Sequence, residues 1–93
     1  MIQDPWFVYI LACSDGTYYT GATNNIQKRL KTHNGGKGAA YTRGRLPVKL
    51  IYFEEMKGKS AALKREYQIK KLNSEEKTKL IFSAPALLLT GVQ

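Results

Sequence analysis

The sequence predicts an α/β (α+β) domain, a small three-stranded antiparallel or mixed sheet packed with helices in the order β-β-α-β-α-α. Three observations lead there. The chain has 93 residues, one domain's worth and no more. Its first quarter holds two short runs of β-branched and aromatic residues separated by a turn signal. The remainder offers helix caps and stops on either side of one further strand-like run. A hydrophobic fraction of 43% with 11% aromatics is enough for a small core and excludes a disordered polyelectrolyte.

Trp6-Phe7-Val8-Tyr9-Ile10-Leu11-Ala12 reads as the first strand, bounded by Pro5 and Ser14. Its unbroken apolarity predicts burial on both faces, hence a central place in the sheet. Ser14-Asp15-Gly16 is a turn, and Thr17 to Ala22 completes the hairpin. Gly21 inside that second strand marks a bulge or a close approach of another group to the backbone. Asn24-Asn25 offers a cap for a helix from Ile26 to Thr32 or His33, which Asn34-Gly35-Gly36 ends. Residues Lys37 to Pro47 form a basic loop, too glycine-rich for a helix. Val48 to Glu54 is the third strand. Ser60 can cap a second helix to about Leu72, and Ser74-Glu75-Glu76 opens a third to Ile81 or Phe82. Residues 1–82 form the domain, with 83–93 as a loosely attached tail.

The formal charge is +8, but its distribution is more telling. No acidic residue lies between Asp15 and Glu54, while Lys28, Arg29, Lys31, Lys37, Arg43, Arg45 and Lys49 do. Such a block projects a positive field that favours polyanions, although a merely solubilising surface has the same composition. Interleaved with Tyr41, Asn34 and glycines, it supplies phosphate donors, a stacking ring and close backbone approach, so nucleic acid is the leading partner class. One cysteine, Cys13, and one histidine exclude an internal disulfide framework and a Cys/His zinc cluster. Trp6–Cys13 and the apolar Ala84–Leu89 both fall short of the roughly 20 residues that span a bilayer. With no secretion-signal pattern, the chain reads as soluble and cytoplasmic.

Arg29 and His33 are four residues apart, one turn from each other at the edge of the Ile26/Leu30 stripe. His33 could equally serve as a C-terminal histidine favouring the helix dipole. Glu66 shares a helix face with Ala62, Leu63 and Ile69. A carboxylate in an apolar stripe needs a cation, either a metal ion or a side chain such as Arg65 or Lys70. Tyr9 and Tyr19 face each other across the hairpin, an arrangement that packing alone also explains.

Phe7-Val8-Tyr9, a hairpin, Tyr19-Thr20-Gly21, a helix with Arg29 and His33, and Glu66 on a later helix together resemble the GIY-YIG endonuclease superfamily. The match runs from about Trp6 to Leu72 and includes His33-Asn34 and Gly36-Lys37-Gly38-Ala39-Ala40-Tyr41-Thr42-Arg43. It is most similar to the small stand-alone bacterial members. The Gly-Ile of the family's first motif is Phe7-Val8 here, and Asn73 is the candidate for the late asparagine that supports the site in several members.

The resemblance implies a catalytic set of Tyr9, Tyr19, Arg29, His33 and Glu66. In it Glu66 binds a single Mg²⁺ or Mn²⁺, and Tyr19 or Tyr9 orients or deprotonates the attacking water. Arg29 stabilises the phosphate, and His33 positions Tyr9 or the water or relays a proton. Lys37, Arg43 and Arg45 would hold the backbone of DNA, with RNA as the second candidate, and Tyr41 would stack on a base.

The expected function is metal-dependent hydrolysis of DNA, at branched, nicked or single-stranded structures, by a monomer or weak homodimer. The alternative is a nucleic-acid-binding module that keeps the fold without cutting. A more distant one is an adaptor that docks a partner through Leu87-Leu88-Leu89.

Overall fold

In the computed structural model, which describes residues 5–83, the apolar run Trp6–Ala12 is the central strand, β1. It lies between β2 (Tyr18–Thr23) and β3 (Lys49–Met56), both antiparallel to it, so the sheet order is β2-β1-β3. A strand hydrogen-bonded on both edges and covered on both faces has no polar side to show, which is why its sequence does not alternate. Gly16, at φ +85°, makes the β1–β2 turn that an L side chain would strain.

Helix α1 (Ile26–Asn34) follows β2, and the Asn25 side chain caps it by accepting from the Lys28 N–H at 3.0 Å. A single turn, α2 (Ala40–Arg43), interrupts the segment read as loop. Its flanking glycines, Gly38 and Gly44, lie outside the turn and leave Ala40-Tyr41-Thr42-Arg43 free to coil. After β3 come α3 (Lys59–Lys70) and α4 (Ser74–Ser83). Gly58, at φ +102°, rather than Ser60 precedes α3, so Ser60 falls in the first turn. At α4 the cap is Asn73, not Ser74. Its side chain accepts from the Glu76 N–H at 2.8 Å, and the Glu76 carboxylate accepts from the Asn73 N–H at 2.9 Å. Ser83 belongs to α4; the tail beyond it, with its leucines, lies outside the described residues.

The alternation of β1 builds two cores. Val8 and Ile10 point to one face and pack with Tyr52, Ala62, Ile69 and Ile81, which seats α3 and α4. Tyr9 and Leu11 point to the other and pack with Cys13, Val48 and the Ile26/Leu30 stripe of α1. Helix α3 also packs along β2. It is pinned to β3 by the Glu54 carboxylate, which takes two hydrogen bonds from Arg65, at 2.8 and 2.9 Å, and one from Tyr52. Burial raises the pKa of Glu54, but the Arg65 and Tyr52 hydrogen bonds outweigh it and hold the carboxyl below its ordinary range. On the other face Asn34 clasps the backbone of Val48, donating to its carbonyl at 3.1 Å and accepting from its N–H at 2.8 Å.

Candidate active site

The register of the hairpin sets the site. Tyr9 of β1 pairs with Gly21 of β2, and Tyr19 pairs with Leu11, so the two tyrosines lie diagonally on one face instead of directly opposite. Where Gly21 has no side chain, the Tyr9 hydroxyl lies against the backbone. A Cβ at Gly21 would stand 2.5 Å from Tyr9 Oη. Here the close-approach reading of that glycine accounts for it, and there is no bulge between β1 and β2.

His33, from the last turn of α1, is fully buried against these rings. The Tyr9 hydroxyl and His33 Nε2 are 3.0 Å apart, and His33 Nδ1 is 2.9 Å from Thr42 Oγ1. The Tyr19 ring centroid is 5.2 Å from the His33 ring and 6.4 Å from the Tyr9 ring. Such edge and tilted contacts are the favourable ones for aromatic quadrupoles. Gly38 lies so close to the imidazole that a Cβ there would overlap Nδ1. The glycine-rich loop after α1 therefore wraps the histidine.

Arg29 is half-buried and lies near enough to Tyr9 and His33 to shift the titration of both. Burial pushes the Tyr9 phenol up to about 12 against the pull of the Arg29 guanidinium, with smaller contributions from Tyr19 and from the Glu66 carboxylate. Burial first, and then the Arg29 charge, hold His33 below its ordinary 6.5. At neutral pH the pair is thus a neutral phenol and a neutral imidazole.

Glu66 comes from the middle of α3, and its side chain is only 17% exposed. Its charge is the smallest of the influences that raise the Tyr9 phenol, while Tyr9, Tyr19 and His33 are in direct ring contact with one another. Lys70, one turn further along α3, forms an ion pair with Glu66 at 2.8 Å. Among the described residues no three His, Cys, Asp or Glu side chains gather as a metal cluster. One half-buried carboxylate suits a hard cation that keeps most of its waters and shares a phosphate ligand. It does not suit an all-protein cage. Glu66 fits such an ion, with Lys70 as its competitor.

The residues expected to hold nucleic acid divide into two groups. Lys37 and Arg43 are exposed, and neither is in an ion pair among the described residues. Arg45 is engaged within the protein. It donates to Asp15 at 2.9 Å and to the Tyr41 carbonyl at 2.8 Å, and its guanidinium lies 3.9 Å from the centre of the Tyr41 ring. Tyr41 also stacks on Tyr19 at 6.1 Å while remaining 38% exposed. Its ring continues the aromatic set from His33 through Tyr19 to the surface. Asn73 stands apart from the cluster as the α4 cap.

Thr42 is the residue that sequence reasoning missed. It is fully buried at the back of the imidazole, and its only signal was its place in the Tyr41-Thr42-Arg43 run. Asn34, read as a helix stop and as part of the His33-Asn34 motif, also clasps the Val48 backbone, a contact the sequence does not signal.

The sequence matches the family described as the GIY-YIG catalytic domain over residues 5–79. A UPF0213 protein of Clostridium perfringens is 58% identical over 77 residues, which is 83% of each chain. A UPF0213 protein of Halobacterium salinarum is 53% identical over 73 residues, 78% of this chain and 95% of the relative. Among solved structures, the solution structure of a UPF0213 protein from Bacillus halodurans is similar with a TM-score of 0.57. It shares 41% identity over 86% of this chain and 85% of the other. Matched along most of its length in sequence and fold, the chain belongs to the GIY-YIG family, a nuclease superfamily, and is similar to its small single-domain UPF0213 members.

Proposed function

We propose that the protein is a divalent-metal-dependent endonuclease that hydrolyses phosphodiester bonds of DNA, at branched or single-stranded structures. The observation that supports the reading is the contact of Tyr9, Tyr19 and His33 on one face of the sheet, with Arg29 bearing on both Tyr9 and His33, and with a half-buried carboxylate, Glu66, on α3 whose charge bears on the Tyr9 phenol.

Glu66 would hold Mg²⁺ or Mn²⁺, which when bound supplies Lewis-acid neutralisation of the phosphate and its leaving oxygen. Arg29 binds the scissile phosphate and steadies the charge that grows on it in the transition state. A phenol whose pKa is near 12 is scarcely ionised at neutral pH, so a free phenolate is not on hand as the base. Tyr9 avoids that state by taking a proton from the attacking water while its own proton passes to His33 Nε2, 3.0 Å away. Tyr19 forms the wall that orients the water. Lys37 and Arg43 hold the flanking backbone as a screened, sequence-independent contact. Tyr41 offers the exposed part of its ring to a base.

The Glu66–Lys70 ion pair is the one observation favouring the second reading, a non-catalytic DNA-binding module, because it neutralises the carboxylate without a metal. A panel of linear, nicked, single-stranded and branched DNA, incubated with Mg²⁺ or Mn²⁺ and with chelator, separates the two. Cleavage that needs the metal and disappears in Arg29→Ala is expected. Binding without product on every substrate would leave the module.

A further inference from the structure

Three protons have to be placed along the buried chain Tyr9–His33–Thr42–Ala39, and they can be counted. Thr42 Oγ1 lies 2.9 Å from His33 Nδ1 and 2.9 Å from the Ala39 carbonyl oxygen, which can only accept. The Tyr9 hydroxyl lies 3.0 Å from His33 Nε2. If Nδ1 carries the ring proton, Nδ1–H donates to Thr42, Thr42 donates to Ala39, and Tyr9 donates to Nε2. All three protons then have acceptors. If Nε2 carries it, Thr42 donates to Nδ1 and Nε2–H donates to Tyr9. The Tyr9 proton is then left with no acceptor among the described residues, on a side chain only 2% exposed. A buried donor without a partner is what folded proteins avoid, so the first arrangement prevails. An imidazolium, which would donate from both nitrogens, is opposed by complete burial and by the neighbouring Arg29.

From this count we infer that Thr42 is a positioning residue: it fixes His33 in the Nδ1–H tautomer and so keeps Nε2 open to receive the proton of Tyr9. The inference rests on the reading of Tyr9 and His33 as the proton-accepting pair. It adds what makes that pair directional. The bookkeeping balances as one O–H bond broken at Tyr9 and one N–H bond formed at Nε2, while the water proton replaces the one Tyr9 loses. Thr42 is suited to the task because the single turn α2 orients its hydroxyl back onto the carbonyl three residues earlier. A serine could do the same. A valine, its isostere, could not.

The test is the ¹⁵N imidazole NMR spectrum of His33, the chain's single histidine, at neutral pH in the uncomplexed protein. The wild type and Thr42→Ser are expected to show the Nδ1–H tautomer. Thr42→Val, in which Nδ1–H would face a methyl group, is expected to move the ring to Nε2–H. DNA cleavage should fall about tenfold or more in Thr42→Val with DNA affinity retained, and Thr42→Ser should recover it. A wild-type ring in the Nε2–H form overturns the inference, and so does a Thr42→Val ring unchanged from wild type. Should Thr42→Val fail to fold, the wild-type and Thr42→Ser spectra still decide. The spectrum needs neither metal nor DNA, so an inactive wild type with the Nδ1–H ring would defeat the nuclease reading alone.

Discussion

The Tyr9 hydroxyl is held from two sides, by His33 Nε2 at 3.0 Å and by the bare backbone of Gly21. An added methyl at Gly21 would meet Tyr9 Oη at 2.5 Å and Cζ at 2.6 Å, and the ring is buried, so it cannot swing clear. Gly21→Ala is therefore expected to destabilise the fold by about 1–3 kcal/mol, the usual cost of overpacking. Urea unfolding measures it, and unchanged stability would show that the tyrosine yields freely. His33 carries a pH signature of its own. Its folded pKa is depressed, so as pH falls below 6.5 the unfolded chain binds a proton that the folded one refuses. Stability is full above that pH and is lost on going down toward pH 5. The window is assigned to His33, the chain's single histidine. Melting temperatures recorded from pH 8 to 5 should be flat and then fall; a flat profile throughout would mean the ring is not held neutral. At this scale the candidate set of Tyr9, Tyr19, Arg29, His33 and Glu66 comes from spacing and resemblance. Thr42 does not, since a buried hydroxyl behind an imidazole leaves no periodicity.

Among the elements, α3 carries both the clasp to β3 and the candidate metal ligand. Arg65 fastens the helix to Glu54, and the next residue, Glu66, meets the Lys70 ammonium at 2.8 Å. Half of the Lys70 side chain is exposed, so the amine can leave for solvent when another cation takes the carboxylate. An ion pair at this spacing is worth about 0.3–0.5 kcal/mol. Lys70→Met is accordingly expected to tighten Mn²⁺ binding by roughly twofold, read from the EPR signal of free Mn²⁺ during titration. Unchanged or weaker binding would mean the amine and the ion do not compete. Strand β1 and the cap at Asn25 were readable because two-sided burial and Asx chemistry are local in sequence, whereas at α4 the adjacent Ser74 offers the same capping chemistry as the Asn73 that performs it. The α2 turn was not. Gly38 and Gly44 signal a break in helix, and the turn between them is tied to His33, nine residues away, by the Thr42 hydroxyl, a contact no local rule supplies. The start of α3 was likewise misplaced by two residues, because a positive-φ glycine directs the chain there in place of a capping hydroxyl.

For the whole molecule, the net charge of +8 gains meaning from which cations remain unengaged. Arg43 is exposed and outside the three ion pairs among the described residues, whereas Arg45 is spent on Asp15 and Tyr41. Sequence alone could not separate them, since both sit in the same basic run and differ only in what the fold brings beside them. Arg43→Gln is expected to lower the slope of log K against log salt for DNA binding by about 1, with stability unchanged. An unaltered slope would remove Arg43 from the DNA face.

The decisive measurement compares single-turnover cleavage of a branched DNA duplex in Mn²⁺ by the wild type and by Glu66→Gln, with DNA affinity and melting temperature recorded on the same samples. The expected result is a rate lower by roughly 100-fold or more in the variant, the scale of losing a metal's charge stabilisation, while affinity and melting stay close to wild type. Equal rates in the two proteins would contradict it, for then the half-buried carboxylate of α3 has no part in breaking the phosphodiester bond.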